Sequence, residues 1–172
     1  CMDRWMNYGD HERLSGALGA YLQGLGLQPG SRVAIMLPNI PQFGVTMAAV
    51  LRAGYTCVNV NPLYTARELE HQLKDSGATT IVILENFAHT LAEVVDHTDI
   101  QHVVMASMGD LLGFWFGKWI TFAVRHLAKM VPAYDLPLTK GRKVVTFKKA
   151  LALGEHRTLS PSPATLDSIA FL

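Results

Sequence analysis

Seven histidines and two cysteines are the side chains most able to hold a metal, provided that three or four of them converge. His71, His89, His97, His102, His126 and His156 show no His-x3-His spacing, so they are expected at the surface or at helix ends. Cys1 and Cys57 lack the Cys-x2-Cys spacing, and Cys57, inside an apolar run, reads as a reduced core residue. Glu68 and Glu70 could be paired for acid–base work, but two positions apart on a helix they point to different faces. No G-x-S-x-G nucleophile elbow is present, nor a G-x-x-x-x-G-K phosphate loop. The glycine-rich GLGLQPGSR would cradle a phosphate if it followed a strand and opened a helix. It does the reverse, following a helix and opening the strand RVAIML.

One stretch has the composition for a function of its own. From Phe114 to Val131, projected at about 100° per residue, Phe116, Trp119, Ile120, Ala123, Val124, Leu127, Met130 and Val131 share one broad face. Lys118, Arg125 and Lys129 fall opposite. Such a helix suits a bilayer interface, where its cations meet anionic headgroups. Phe116, Lys118, Trp119, Ile120, Arg125, Leu127 and Lys129 are therefore the candidate membrane contacts, within a candidate helical insertion over residues 113–136. Trp115 and Phe122 project near the cations, where a core helix gains little from aromatics. The spaced charges exclude a transmembrane span. The competing reading packs the apolar face on the sheet or on other parts of the same protein.

The elements that would position these residues alternate between strand and helix. A helix over Asp10 to Leu22 carries Leu14, Ala17, Leu18, Tyr21 and Leu22 on one face. The uncharged part of the run Val33 to Leu51 is divided by Pro38, Asn39, Pro41 and Gln42 into a strand and a helix from Pro41 to Ala53. That helix is apolar nearly all round, which implies cover on several sides, including partners outside this chain. Val58 to Leu84 is the best specified unit: strand, Asn61-Pro62 turn, helix, strand. Thr65 and Glu68 have capping-box spacing, Tyr64 and Leu69 form a hydrophobic staple, Glu70 and Lys74 pair at i,i+4, and Gly77 ends the helix left-handed. A helix near Phe87 to Asp96, the strand HVVMA, a short helix at KKALALG and the start of a strand at IAFL follow. The fold class is α/β, a doubly wound, mainly parallel sheet with helices on both faces.

At 172 residues the chain buries about one substantial core. A formal charge of +1 gives no global field for nucleic acid, so no nucleic-acid partner is expected. Cysteine usage suits the cytoplasm. The chain starts at Cys1 without a signal-peptide pattern, in mid-pattern, and reads as a fragment.

The stretches GLQPGSRVAIMLPN, LRAG and VNVNPLYTARELEHQLKDSGA closely resemble the N-terminal subdomain of adenylate-forming acyl-CoA synthetases. NFAHTL and MVPAYDLP resemble the bacterial long-chain fatty-acid–CoA ligases among them. His11 and Gly16 depart from that pattern, which predicts a less regular first helix.

The resemblance implies a parent enzyme that uses ATP and Mg²⁺ to convert a long-chain fatty acid to an acyl-adenylate, then passes the acyl group to coenzyme A. In the family a strand like LDSIAFL runs into a Ser/Thr/Gly-rich phosphate loop, and this chain stops at Leu172. The family's ATP, acyl, CoA and metal residues have no matching positions, so no catalytic, cofactor-binding or metal residue is assigned within the chain. The expectation is a scaffold, part of a larger N-terminal domain, inactive alone and partnered by the remainder of the enzyme. Localisation would be cytoplasmic, peripheral on the inner face of the cell membrane. Alternatives are a medium-chain or aryl acid ligase, a nucleotide- or flavin-binding doubly wound domain, and a non-catalytic membrane-surface module.

Overall fold

β-Branched runs form five strands: β1 (Arg32–Met36), β2 (Thr56–Asn59), β3 (Thr80–Leu84), β4 (His102–Ala106) and β5 (Lys143–Thr146). In the computed structural model, which describes residues 5–172, they pair in the order β2-β1-β3-β4-β5 and every pairing is parallel. Cys1 lies outside the described residues. Parallel sheets need cover on both faces. Helices α1 (Tyr8–Gln23), α2 (Pro41–Arg52) and α6 (Phe147–Glu155) supply one layer, α3 (Ala66–Ser76) and α4 (Ala88–Val94) the other.

Side-chain alternation along the strands divides the core in two. Val33, Ile35, Val82, Leu84 and Val104 pack with Leu18, Leu22, Val45 and Phe147. Ala34, Met36, Ile81, Ile83 and Met105 pack with Leu69, Leu73 and Leu91 on the other face. Cys57 is a buried free cysteine, and burial pushes its thiol up to about 12, which keeps it protonated and inert.

Several expectations are corrected. The first helix is regular: Asn7 and Asp10 form a capping box, and the space beside Gly16 is taken by the Arg52 guanidinium, which donates to the Glu12 carbonyl and to Ser15 Oγ, both at 2.7 Å. One side of the apolar helix α2 packs on α1, where a Cβ on Gly19 would stand 3.1 Å from the Ala49 carbonyl oxygen, while Phe43, Met47 and Leu51 remain half-buried, as the expectation of further cover outside this chain requires. His102 is buried in β4 rather than at the surface, and burial lowers its pKa. β5 was not expected at all.

The IAFL segment does begin an edge pairing: Cys57 N–H donates to the Ala170 carbonyl and Leu172 N–H to the Cys57 carbonyl, both at 2.9 Å. On the opposite side of the sheet, Arg142 lies buried and donates to the carbonyls of Val95 (3.1 Å), Ile100 (3.0 Å) and Pro137, and to Asp96 (3.0 Å). It ties the approach to β5 to the end of α4.

Candidate functional site

Doubly wound sheets take ligands beyond the carboxyl ends of their strands, where successive helices leave toward opposite faces. Here α2 leaves β1 toward one face and α4 leaves β3 toward the other, which puts that point at the β1–β3 boundary. The connection from β1 to α2, Leu37-Pro38-Asn39-Ile40, has no glycine to let a phosphate approach the backbone.

Polar side chains nevertheless gather along this edge. Glu85 directly follows β3 and is 1% exposed. Its Oε2 accepts from Arg125 Nε at 2.8 Å and from Arg125 Nη2. The next residue, Asn86, donates from Nδ2 to the Met130 carbonyl at 3.0 Å. Beyond β4, Ser107 N–H donates to Asp110 Oδ2 at 2.7 Å, and the Ser107 carbonyl accepts from Gln42 Nε2 at 2.9 Å. Lys148 of α6 stands 3.6 Å from Asp110. Burial pushes the Asp110 carboxyl above its usual range, outweighing Ser107 and Lys148, which pull it down. The hydrogen bond to Glu85 raises Arg125 further, so the guanidinium stays charged. Glu85 Oε1, Asn86 Oδ1 and Gln42 Oε1 are buried acceptors with no hydrogen-bond partner among the described residues.

Arg125 reaches this edge because the helix that carries it changes pitch. An α-helix, α5, spans Phe114–Phe122, and a π turn follows over Ala123–Leu127, with Ala128 N–H donating to the Ala123 carbonyl at 2.8 Å. The 100° projection therefore fails after Phe122. Arg125, expected in a lipid-facing cationic stripe with Lys118 and Lys129, instead turns to Glu85. Among the other expected contacts, Trp119 is 55% and Leu127 64% exposed, Phe116 is at the margin of exposure and Ile120 is half-buried. Lys118 and Lys129 are exposed. Trp115 and Phe122 also face outward, and the Phe122 ring lies 6.2 Å from Trp119 and 4.9 Å from His126 between centroids. The core-packing reading of this apolar face does not hold for the aromatics within this chain.

Glu85, Asn86, Asp110 and Gln42 were missed by sequence reasoning. The available signal was charge without a local partner: one acid ending an apolar strand, and one arginine inside a run free of acids between Asp110 and Asp135. Glu68 and Glu70 are not brought together as a carboxylate pair. Glu68 accepts from Thr65 N–H at 2.8 Å in the capping box, and Glu70 meets Lys74 and His97. Among the described residues no group of three or more His, Cys, Asp or Glu converges as a metal site.

The AMP-binding enzyme family model matches residues 1–134, most of the chain. This chain belongs to the AMP-binding enzyme family. It is 46% identical over 172 residues to a long-chain-fatty-acid–CoA ligase of Escherichia coli O157:H7, covering 99% of this chain and 30% of the relative. A long-chain-fatty-acid–CoA ligase of Yersinia pestis is 50% identical over 152 residues, 83% of this chain and 27% of the relative. The fold matches the crystal structure of a long-chain-fatty-acid–CoA ligase from Archaeoglobus fulgidus with a TM-score of 0.69 at 21% identity, over 96% of this chain and 27% of that one. The chain thus spans about 30% of the length of the curated relatives it matches.

Proposed function

We propose that this chain is the N-terminal scaffold of a cytoplasmic ligase that activates long-chain fatty acids with ATP and transfers the acyl group to coenzyme A. The supporting observation is identity of 45–50% to long-chain-fatty-acid–CoA ligases, in several relatives over 83–99% of this chain. The reaction gives a poorly electrophilic carboxylate a leaving group, AMP, which the thiol of coenzyme A then displaces. Charge developing on phosphate needs cations and backbone donors aimed at it. Among the described residues the β1–α2 connection at the carboxyl edge has no glycine, no metal cluster converges, and Arg125 at this edge is spent on Glu85. In this reading ATP, Mg²⁺ and CoA are therefore held by other parts of the protein, and residues 1–172 supply sheet and wall. The test is product formation by the full-length protein with ATP, Mg²⁺ and CoA. A long-chain acid such as hexadecanoate should give acyl-CoA and AMP faster than benzoate, and a preference for benzoate would move the assignment to the aryl acid ligases.

A second, finer reading concerns residues 113–136 as a membrane-interface insertion. It is favoured by the outward aromatics Trp115, Trp119 and Phe122 beside Lys118 and Lys129, a pattern that suits anionic lipid. Phe116, Ile120 and Leu127 would complete the contact, while Arg125 would serve the sheet. No helix among the described residues is long and apolar enough to cross a membrane.

A further inference from the structure

Residues 113–131 run across the carboxyl ends of β3 and β4 in an unusual way. The segment before them is held by the core, with Leu112 buried and Met108 and Leu111 packed against it, whereas the large apolar side chains Trp115, Trp119, Phe122, Leu127 and Met130 point largely outward. Gly117 is buried against Gly109, so closely that a Cβ on either residue would lie 2.0–2.1 Å from the other's carbonyl oxygen. The inward anchors are Arg125 on Glu85 and the Met130 carbonyl on Asn86, both supplied by two consecutive residues at the end of β3. The helical part is flanked by two left-handed residues, Gly113 at φ 85° and Lys129 at φ 49°.

We infer that residues 113–131 are a strap, clasped to the sheet by Glu85 and Asn86, that opens and closes as a unit over the carboxyl edge while the sheet stays folded. Two features keep closure marginal. The strap buries little of its apolar surface, so it lacks the term that holds the strands. The π turn, which spaces Arg125 and Met130 to meet adjacent residues, departs from regular helix geometry. Opening uncovers an acid and an amide beside the point where sheets of this winding take ligands.

Amide hydrogen exchange of the full chain, read by peptide mass spectrometry, tests the strap without any activity assay. In the wild type, amides of 115–131 are expected to exchange about 100-fold or more faster than those of β3 and β4, with little dependence on low denaturant. Arg125→Gln should speed exchange about tenfold further within 113–131 and leave the sheet unchanged. Strap amides that exchange with the sheet and share its denaturant dependence would overturn the inference, and that result needs only the wild type. An Arg125→Gln effect of the same size in strap and sheet, or none in the strap, would also overturn it.

Discussion

Gly154 of α6 sits so close to Ala17 of α1 that a Cβ built on the glycine would lie 1.8 Å from the Ala17 carbonyl oxygen. The two helices meet backbone to backbone, and Arg13 and Glu155 close the outer side of the crossing with an ion pair at 2.9 Å. That pair is exposed and contributes little. The contact depends on the missing side chain.

Gly154→Val should therefore force α1 and α6 apart and destabilise the fold by about 1–3 kcal/mol or more, read as a fall in the urea midpoint. Gly26→Ala is the control for loss of a glycine as such. Its backbone is left-handed, unlike that of helical Gly154, but a Cβ there meets nothing within 4 Å, so its cost should be the smaller of the two.

How much of this was legible in the sequence follows from the range of each interaction. The Thr65 cap, the Gly77 stop and the break at Pro38 to Pro41 are local, and each appears where its residues say. β5 was missed because its four residues lie at the sheet edge with three exposed and one half-buried, leaving no alternation to read. Glu85 and Arg125 are forty residues apart, and nothing local links them. The helix after Phe114 was legible as a helix, but its π turn was not, because pitch is set by what Arg125 and Met130 must reach.

Thr65→Ala should cost roughly 0.5–2 kcal/mol by leaving the Glu68 N–H without its cap. The reciprocal bond holds Glu68 below the usual carboxylate range, through Thr65 N–H first and its hydroxyl second. Stability from this source is present above the ordinary carboxylate value and lost as pH falls through the lowered folded value. Thermal melts at pH 7 and pH 3 should show the variant's deficit shrinking in acid. Only the hydroxyl's bond to Glu68 is lost in this variant, so a deficit equal at both would remove that bond from the account.

Asp110 carries the opposite sign. Its folded pKa is raised above 3.8 by burial, so the fold binds this proton more tightly than the unfolded chain does, and stability declines as pH rises through that window. Asp110→Asn keeps an oxygen for Ser107 N–H and removes the charge. The variant should melt higher than the wild type at neutral pH and show a flatter profile between pH 4 and 7; a lower melting temperature at neutral pH would mean that Lys148 outweighs burial.

If the outward face of α5 meets anionic lipid, Lys118 and Lys129 contribute on the order of 1 kcal/mol each at low salt. Replacing both with Gln should weaken sedimentation with phosphatidylserine-containing vesicles roughly tenfold or more, an effect that fades with added salt. Trp119→Ser should weaken it by a route that salt does not change, since that ring is largely exposed and adds apolar contact rather than core. Unchanged vesicle binding by the double Gln variant would end the membrane reading, and a large fall in melting temperature for Trp119→Ser would assign the ring to packing instead.

Scaffold without chemistry of its own is a property that ATP–pyrophosphate exchange reads directly, because exchange reports adenylate formation and nothing later. Residues 1–172 and the full-length protein are assayed side by side with hexadecanoate and Mg²⁺. The expected result is exchange by the full-length protein and background from residues 1–172. Exchange above background from residues 1–172 alone would contradict the account, since it would place the adenylating groups among the residues described here as sheet, cover and strap.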